Sequence, residues 1–250
     1  MAPIKKSKEE LASIRETGRI VADVLAELRT AVHPGVTTGE IDHIGAEALQ
    51  RRGATSSSLG YHGYPKSLCT SINDEVVHGI PGGRVLQEGD IVSIDFAACY
   101  QGWHADSAIT VPVGTVSPAA QRLLKVTEDA LYRGIAAARA GNRTHDISRA
   151  IQQYVEAAGF SVVRQYGGHG VGRSMHEDPQ VLNYIEPGYP GFLLKPGMVL
   201  AIEPMVNMGA KETRVLADEW TVATVDGSYS AHFEHTVAIT EGGAEILTLP

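Results

Sequence analysis

The chain has 250 residues, a formal charge of −8, 43% hydrophobic and 20% charged residues. That length suits one large domain or two small ones, and the composition leaves room for an ordinary buried core while excluding disorder and a coiled coil. The acidic balance argues against a nucleic-acid groove, which needs clustered Lys and Arg, and two cysteines, Cys69 and Cys99, are too few for a disulfide framework.

At the N-terminus the one basic cluster, Lys5-Lys6-Ser7-Lys8, reads as a solvated tail. Residues Met1 to Glu16 are charged and lack the apolar core of a signal peptide. No apolar run approaches the ~18 residues of a membrane span. A soluble, cytoplasmic protein is expected. The first helix follows: Leu11, Ile14, Gly18, Val21, Leu25, Leu28 and Val32 recur every three or four residues and share one face. Ser7 with Glu10 reads as its capping box, and His33-Pro34-Gly35 ends it. A second helix is expected from about Thr38 to Arg52, opened by Thr37 and Glu40, with Ile41, Ile44, Ala48 and Leu49 inward. After a Gly-, Ser- and Tyr-rich stretch, Ile91 to Ala98 alternates as a strand and Ser107 to Val113 returns from it, with the turn around Tyr100-Gln101-Gly102.

The pattern then restarts. Ser117-Pro118 opens a helix carrying Leu123, Val126, Ala130, Gly134 and Ala137 on one face. Gly141 to Ile147 matches Gly35 to Ile41 at an offset of 106. The next helix keeps the offset, with Ile147, Ile151 and Val155 answering Ile41, Gly45 and Leu49. Leu194 to Glu203 matches Leu86 to Asp95 at an offset of 108, and Glu234-His-Thr-Val-Ala-Ile answers Asp106-Ser-Ala-Ile-Thr-Val. A single catalytic domain, 1–250, is therefore expected, made of duplicated halves at about 8–114 and 117–241, in α+β layers with a mostly antiparallel sheet.

The repeat puts acids at matching positions, Asp95 with Glu203 and Asp106 with Glu234. With a turn centred between Tyr100 and Gln101, Asp95 and Asp106 lie directly opposite on one face, where like charges destabilise a sheet. All four acids sit in apolar strands that hold no Lys or Arg, and an unpaired buried carboxylate is strongly disfavoured. Either a shared-proton or salt-bridged cluster resolves this, or cations bind. Four acids in duplicated positions favour cations, and four carboxylates balance two divalent ions. Carboxylates with one His suit Mn, Fe, Co or Zn.

Ten histidines are present. His169 stands out between the glycines of Gly167-Gly168-His169-Gly170-Val171-Gly172, which let backbone and ligand approach closely. His176 and His78 stand out with it, while His33, His43, His62, His104, His145, His232 and His235 read as surface or core residues without chemical duty.

With these residues assembled, the chain resembles the type I methionine aminopeptidases, in the wider family that also holds prolidase and creatinase. The stretches that carry the likeness are Gly60-Tyr-His-Gly-Tyr-Pro-Lys-Ser, Val76-Val-His-Gly-Ile-Pro, Gly89-Asp-Ile-Val-Ser-Ile-Asp, Gly168-His-Gly-Val-Gly-Arg, His176-Glu-Asp-Pro-Gln-Val, Leu200-Ala-Ile-Glu-Pro-Met and Phe233-Glu-His-Thr. The resemblance implies the pita-bread fold, a pseudo-two-fold arrangement of a curved, mostly antiparallel sheet flanked by helices. It implies Asp95, Asp106, His169, Glu203 and Glu234 as ligands of two divalent ions, Asp106 and Glu234 bridging them, with His78 and His176 touching substrate. It implies a methionine pocket lined by Tyr61, Tyr64, Cys69 and Trp220. Two departures bear on that pocket: Met175 stands where the family usually has an aromatic residue, and Ser58 where a cysteine is common. Glu203 and Glu234 are 31 residues apart, without the helical insertion of type II members. With no zinc-binding N-terminal extension either, a bacterial housekeeping form is expected.

The implied reaction removes an initiator methionine from nascent chains and peptides. A water bridging the ions attacks the first peptide bond, Glu203 shuttles the proton, His176 stabilises the oxyanion and His78 hydrogen-bonds the scissile amide nitrogen. A small second residue is preferred. Cys69 reads as pocket lining, since no base is placed beside it. Expected partners are peptide N-termini, with transient ribosome contact, no nucleic acid, no membrane and a monomeric state. The competing readings are a proline-specific peptidase of the same fold, a non-enzymatic homologue that has lost ligands, and a metal-free carboxylate hydrolase.

Overall fold

The computed structural model describes residues 4–250, so the leaderless start read over Met1 to Glu16 lies in part outside the described residues. Helices α1 (Lys8–Ala31) and α2 (Thr38–Arg51) come first, then β1 (Thr55–Ser56), a short 3-10 turn (Tyr61–Gly63), β2 (Cys69–Ile72), β3 (Glu75–Val77), β4 (Ile91–Tyr100) and β5 (Trp103–Pro112). Helices α3 (Pro118–Ala137) and α4 (Thr144–Ala157) follow. The remaining strands are β6 (Ser161–Val162), β7 (Gly168–Gly170), β8 (Glu177–Val181), β9 (Val199–Ile202), β10 (Met205–Asn207), β11 (Thr213–Val215), β12 (Val222–Thr224), β13 (Ser230–His232), β14 (Glu234–Thr240) and β15 (Gly243–Ile246).

The helices start where their caps dictate. Ser7 Oγ accepts from the Glu10 amide while Glu10 returns a bond to the Ser7 amide at 2.8 Å, and Thr37 and Glu40 repeat that exchange. These bonds satisfy donors that have no partner inside the helix. The periodic face of α1 is buried at Ile14, Gly18, Val21, Leu25 and Leu28, and α2 ends at Arg51, one residue short of expectation.

A nine-stranded sheet runs β1-β4-β5-β14-β9-β7-β8, with β2 added on β4 and β15 on β14. Every paired register in it is antiparallel. Two three-stranded sheets, β13-β10-β6 and β11-β12-β3, complete the strand layer. Each helix pair covers its own part of the large sheet. Leu25, Leu28, Ile41 and Leu49 pack on Ile94 and Phe96, while Leu123, Ala130, Ile147 and Ile151 pack on Leu200, Ile202 and Val237. The two helix pairs are entered through equivalent bonds. Before α2 the Gly35 amide donates to the Leu86 carbonyl and the Leu86 amide to the Val36 carbonyl; before α4 the Gly141 amide donates to the Leu194 carbonyl and the Leu194 amide to the Asn142 carbonyl. The isolated bridges Thr37↔Val85 and Arg143↔Leu193 stand at the same offsets, 106 and 108.

The central hairpin differs from expectation in register. Tyr100 pairs with Trp103, so the turn is Gln101-Gly102, with φ of 51° and 77°. A two-residue turn with both central residues at positive φ matches the right-handed twist of its strands. It moves the turn centre one residue along the chain. Asp95 therefore faces Ala108, and Asp106 faces Ala97. The two acids are diagonal neighbours on one face, ~7–8 Å apart at the backbone, rather than directly opposite.

The tail reading of the basic cluster is also overturned at Lys6, which is 7% exposed. Its ammonium donates to Glu177 at 2.6 Å and to the Ile4 carbonyl at 3.2 Å. Its amide bonds the Gly197 carbonyl. The arm before α1 is thus seated beneath the loop that leads into β8. Among the described residues, no helix is long and apolar enough to cross a membrane.

Candidate metal centre

The carboxylates are placed by strand register. Asp95 on β4 pairs with Ala108 on β5, and Ala108 pairs in turn with Glu234 on β14. His235 pairs with Ile202, so the next step of that register sets Glu203 beside Glu234. Asp95, Ala108, Glu234 and Glu203 therefore form one row across four strands, on one face of the sheet. Asp106 lies two residues along β5 on the same face. Gly170 on β7 pairs with Leu200 on β9, which turns His169 to the face shared by Ala201 and Glu203. A Cβ on Gly168 would run into the Ala201 carbonyl, so glycine there is what lets β7 approach β9 closely enough to bring His169 in.

The ligand atoms of Asp106, His169 and Glu234 lie within 4.8 Å of one another, all three residues buried. Glu203 Oε1 is 3.7 Å from His169 Nε2. Asp95 and Glu203 complete the same cavity wall, outside the tight group of three. Among the described residues no Lys or Arg pairs with any of these four acids. Among the described residues, Asp106 Oδ1 and Glu234 Oε1 are buried without a hydrogen-bond partner. His169 Nδ1 donates to the Gly170 carbonyl at 2.8 Å. A carbonyl can only accept, so this bond fixes the tautomer and leaves the Nε2 lone pair facing the acids. Orphaned carboxylate oxygens and a pre-set imidazole nitrogen are the donor set that a hard to borderline divalent ion requires.

Electrostatics agrees. Burial pushes Asp95 up to about 6. Burial, then the nearby Asp95 charge, pushes Glu203 up to about 8. Burial and neighbouring acids hold Asp106 and Glu234 well above the usual carboxylate range. Burial depresses His169 to about 3. Each shift opposes the charge the group would carry, and a divalent cation among the acids reverses that bias.

A cavity of about 330 Å³ opens over this row. Its lining includes the residues expected from sequence: Ser58, Tyr61, Tyr64, Cys69, Met175 and Trp220, with His78, His176 and the acids. Tyr64 is fixed by bonds from its hydroxyl to the Leu68 and Gly79 carbonyls, at 3.1 and 2.9 Å, and meets Trp220 edge-on. Trp220 is held by Asp218, which accepts from the Trp220 and Thr221 amides. Cys69 faces Asp95 across β2 and β4, and burial raises its thiol further, so it stays protonated and unreactive. His176 stacks on Tyr61 at 5.1 Å and lies 4.0 Å from the His169 ring. His78 sits at a φ of 61°, a left-handed conformation costly for a residue with a Cβ, and packs edge-on against Tyr166. Burial depresses its imidazole to about 4. A smaller, polar cavity of about 250 Å³ shares His78, Asp95, His176 and Glu203 and extends to Tyr166 and Gln180.

Two histidines read as inert from sequence belong here. His62 lines the main cavity. His232 is 1% exposed, with Nε2 3.6 Å from Glu203 Oε2 and 4.0 Å from Glu234 Oε2. The signal for His232 was its spacing: it precedes Glu234 by two, and residues two apart in extended chain share a face. His62 is the immediate neighbour of Tyr61. By contrast His235 bonds Thr248 Oγ1 at 2.9 Å and His104 bonds Ser57 Oγ at 2.8 Å, in keeping with structural roles.

Comparison with known proteins places this architecture. The sequence matches metallopeptidase family M24 over residues 12–241. It is 54% identical to methionine aminopeptidase 1 of Bacillus subtilis (strain 168) over 245 residues, covering 98% of each chain. It is 47% identical to methionine aminopeptidase of Escherichia coli (strain K12) over 251 residues, covering 100% of this chain and 95% of that one. The crystal structure of methionine aminopeptidase from Thermotoga maritima has a TM-score of 0.97 at 44% identity, covering 99% of this chain and 100% of that chain. The curved antiparallel sheet with its two helix pairs is the pita-bread fold.

Proposed function

The chain belongs to metallopeptidase family M24, and from that premise we infer that it is a methionine aminopeptidase of the type I class, a metal-dependent hydrolase that removes the N-terminal methionine of peptides and nascent proteins. The observation that carries this reading is the row of acids, which lacks a basic counter-charge among the described residues and opens into a cavity of about 330 Å³.

Asp95, Asp106, His169, Glu203 and Glu234 are proposed to hold two divalent ions, drawn from Mn, Fe, Co or Zn. When bound, such ions polarise a carbonyl and lower the pKa of water. The rest falls to the chain's own groups. Glu203 combines an ionisable oxygen with a place on the cavity wall, which suits it to take a proton from the attacking water and deliver it to the leaving amine. His176, braced on Tyr61, is placed to stabilise the developing oxyanion. His78, locked by its own backbone, is assigned the scissile amide nitrogen. Tyr61, Tyr64, Cys69, Met175, Trp220 and Ser58 would enclose the methionine side chain and keep bulk water from it. The smaller polar cavity beyond His78 and Tyr166 is assigned to the second residue. A preference for small residues there is proposed with it.

We further propose that the halves 8–114 and 117–241 form a single catalytic domain, in keeping with the equivalent bonds before α2 and α4. Action in the cytoplasm as a monomer, in passing contact with the ribosome, completes the reading. The free thiols Cys69 and Cys99 support a reducing compartment.

The test is release of methionine from Met-Ala-Ser by chelated and by Mn- or Co-restored protein, with elemental analysis in parallel. Activity only with metal is expected, and faster cleavage of Met-Ala than of Met-Lys peptides. Activity that survives exhaustive chelation would overturn the metal role. Equal rates on the two peptides would overturn the second-residue preference alone.

A further inference from the structure

His232 has been given no role so far. It lies at the end of β13, 1% exposed, and both of its ring nitrogens lack a hydrogen-bond partner among the described residues. Its backbone is clamped: the His232 amide bonds Thr110 Oγ1 at 2.9 Å, and Thr110 Oγ1 donates to the His232 carbonyl at 2.7 Å. The Met205 pairing fixes it from the other side. The ring is therefore aimed by the main chain.

What it is aimed at decides its chemistry. The same atom, Nε2, faces Glu203 Oε2 at 3.6 Å and Glu234 Oε2 at 4.0 Å. A neutral imidazole carries one N–H. With the proton on Nδ1, a buried donor would be left without an acceptor and, once the acids are ionised as ligands, a lone pair would point at two carboxylates. With the proton on Nε2, the donor meets both acids. His169 is the opposite case: its Nδ1–H is engaged by the Gly170 carbonyl, which frees Nε2 as a ligand. The two imidazoles flank Glu203 at its two oxygens, at 3.7 and 3.6 Å, and differ in which ring nitrogen is protonated. A shift of about 0.6 Å by the Glu203 side chain brings its oxygen to hydrogen-bond length of Nε2.

We propose that His232 is a positioning residue of the metal centre, an Nε2–H donor that orients the carboxylates of Glu203 and Glu234 and is not itself a ligand. The proposal rests on the reading of the acids as a metal site. Groups of this kind around ligands change metal affinity by about 10–100-fold when removed.

The experiment compares the wild-type protein with His232→Gln, which keeps an N–H donor, and His232→Leu, which does not. Mn(II) binding to the metal-free proteins is measured by calorimetry. Hydrolysis of Met-Ala-Ser gives kcat and KM. In the wild-type protein loaded with Zn(II), imidazole 15N–1H correlation reads the tautomer directly. His232→Leu is expected to bind Mn(II) about 10–100-fold more weakly with KM little changed, His232→Gln to recover most of that affinity, and the wild-type ring to be protonated at Nε2. Equal Mn(II) affinity in all three proteins overturns the proposal and leaves the metal reading intact. Loss in both variants, or a metal-coordinated Nε2, makes His232 a ligand and also overturns it. Failure of the wild-type protein to bind Mn(II) removes both readings. The NMR arm decides the matter if His232→Leu does not fold.

Discussion

Metal loading should expel at least about one proton at pH 7, and the number can be worked from the buried acids. Glu203, pushed up to about 8, is mostly protonated there without metal. Burial and neighbouring acids raise Asp106 and Glu234 in the same direction, so any proton they hold adds to the count. Asp95, at about 6, is mostly ionised already. His169, at about 3, carries no proton to lose. All four acids must be ionised to serve as ligands. Each released proton makes affinity rise about tenfold per pH unit, so at least about tenfold is expected between pH 6 and pH 7. The metal-free protein behaves in the reverse sense. These carboxylates have folded-state pKa values above their unfolded ones, so the stability they lend is complete at low pH and is lost as pH rises through about 6 and about 8. Titrating Mn(II) into metal-free protein in buffers of different ionisation enthalpy counts the protons. Release of fewer than one would show that the acids are ionised without metal, and the account of their burial would be wrong.

Three further outcomes are expected. Ala108 sits in the row between Asp95 and Glu234, so Ala108→Leu should fill the floor of the site and abolish Mn(II) binding while far-UV circular dichroism stays native; retained binding would mean the row does not converge on the ions. His78→Ala should lower kcat on Met-Ala-Ser with metal content unchanged by elemental analysis, since His78 is not among the proposed ligands; loss of metal would reassign it. Cys69→Ala should keep kcat within severalfold, because its thiol is buried and protonated; complete inactivation would argue for a chemical role.

What could be read from the chain alone was whatever is local or periodic. Capping residues marked the helices to within a residue because Ser7–Glu10 and Thr37–Glu40 act over three positions. The acids were legible because the repeat presented them twice in apolar strands. The hairpin register was not, because Gln101 carries no sign that it will adopt positive φ, and a one-residue displacement of the turn changed which residue opposes Asp95. His232 was passed over since it was weighed alone, although its spacing from Glu234 sets it on the acids' face. The small strands β3, β11 and β12 have three residues each, too few to display a period. Lys6 was misread for the most general reason: the carboxylate that explains its burial lies 171 positions away.

That separation has a consequence for the order in which the molecule can become complete. The Lys6–Glu177 bond cannot form until nearly three-quarters of the chain exists, and closing so long a loop costs about 4–5 kcal/mol in chain entropy alone. It gains its partner only after the intervening strands and helices have shortened the gap. The arm then locks under the segment holding Met175 and His176. A growing chain would thus acquire its hairpin acids early, while His169, His176, Glu203 and Glu234 all come from its last third, so the row of acids is complete only once Glu234 has been made.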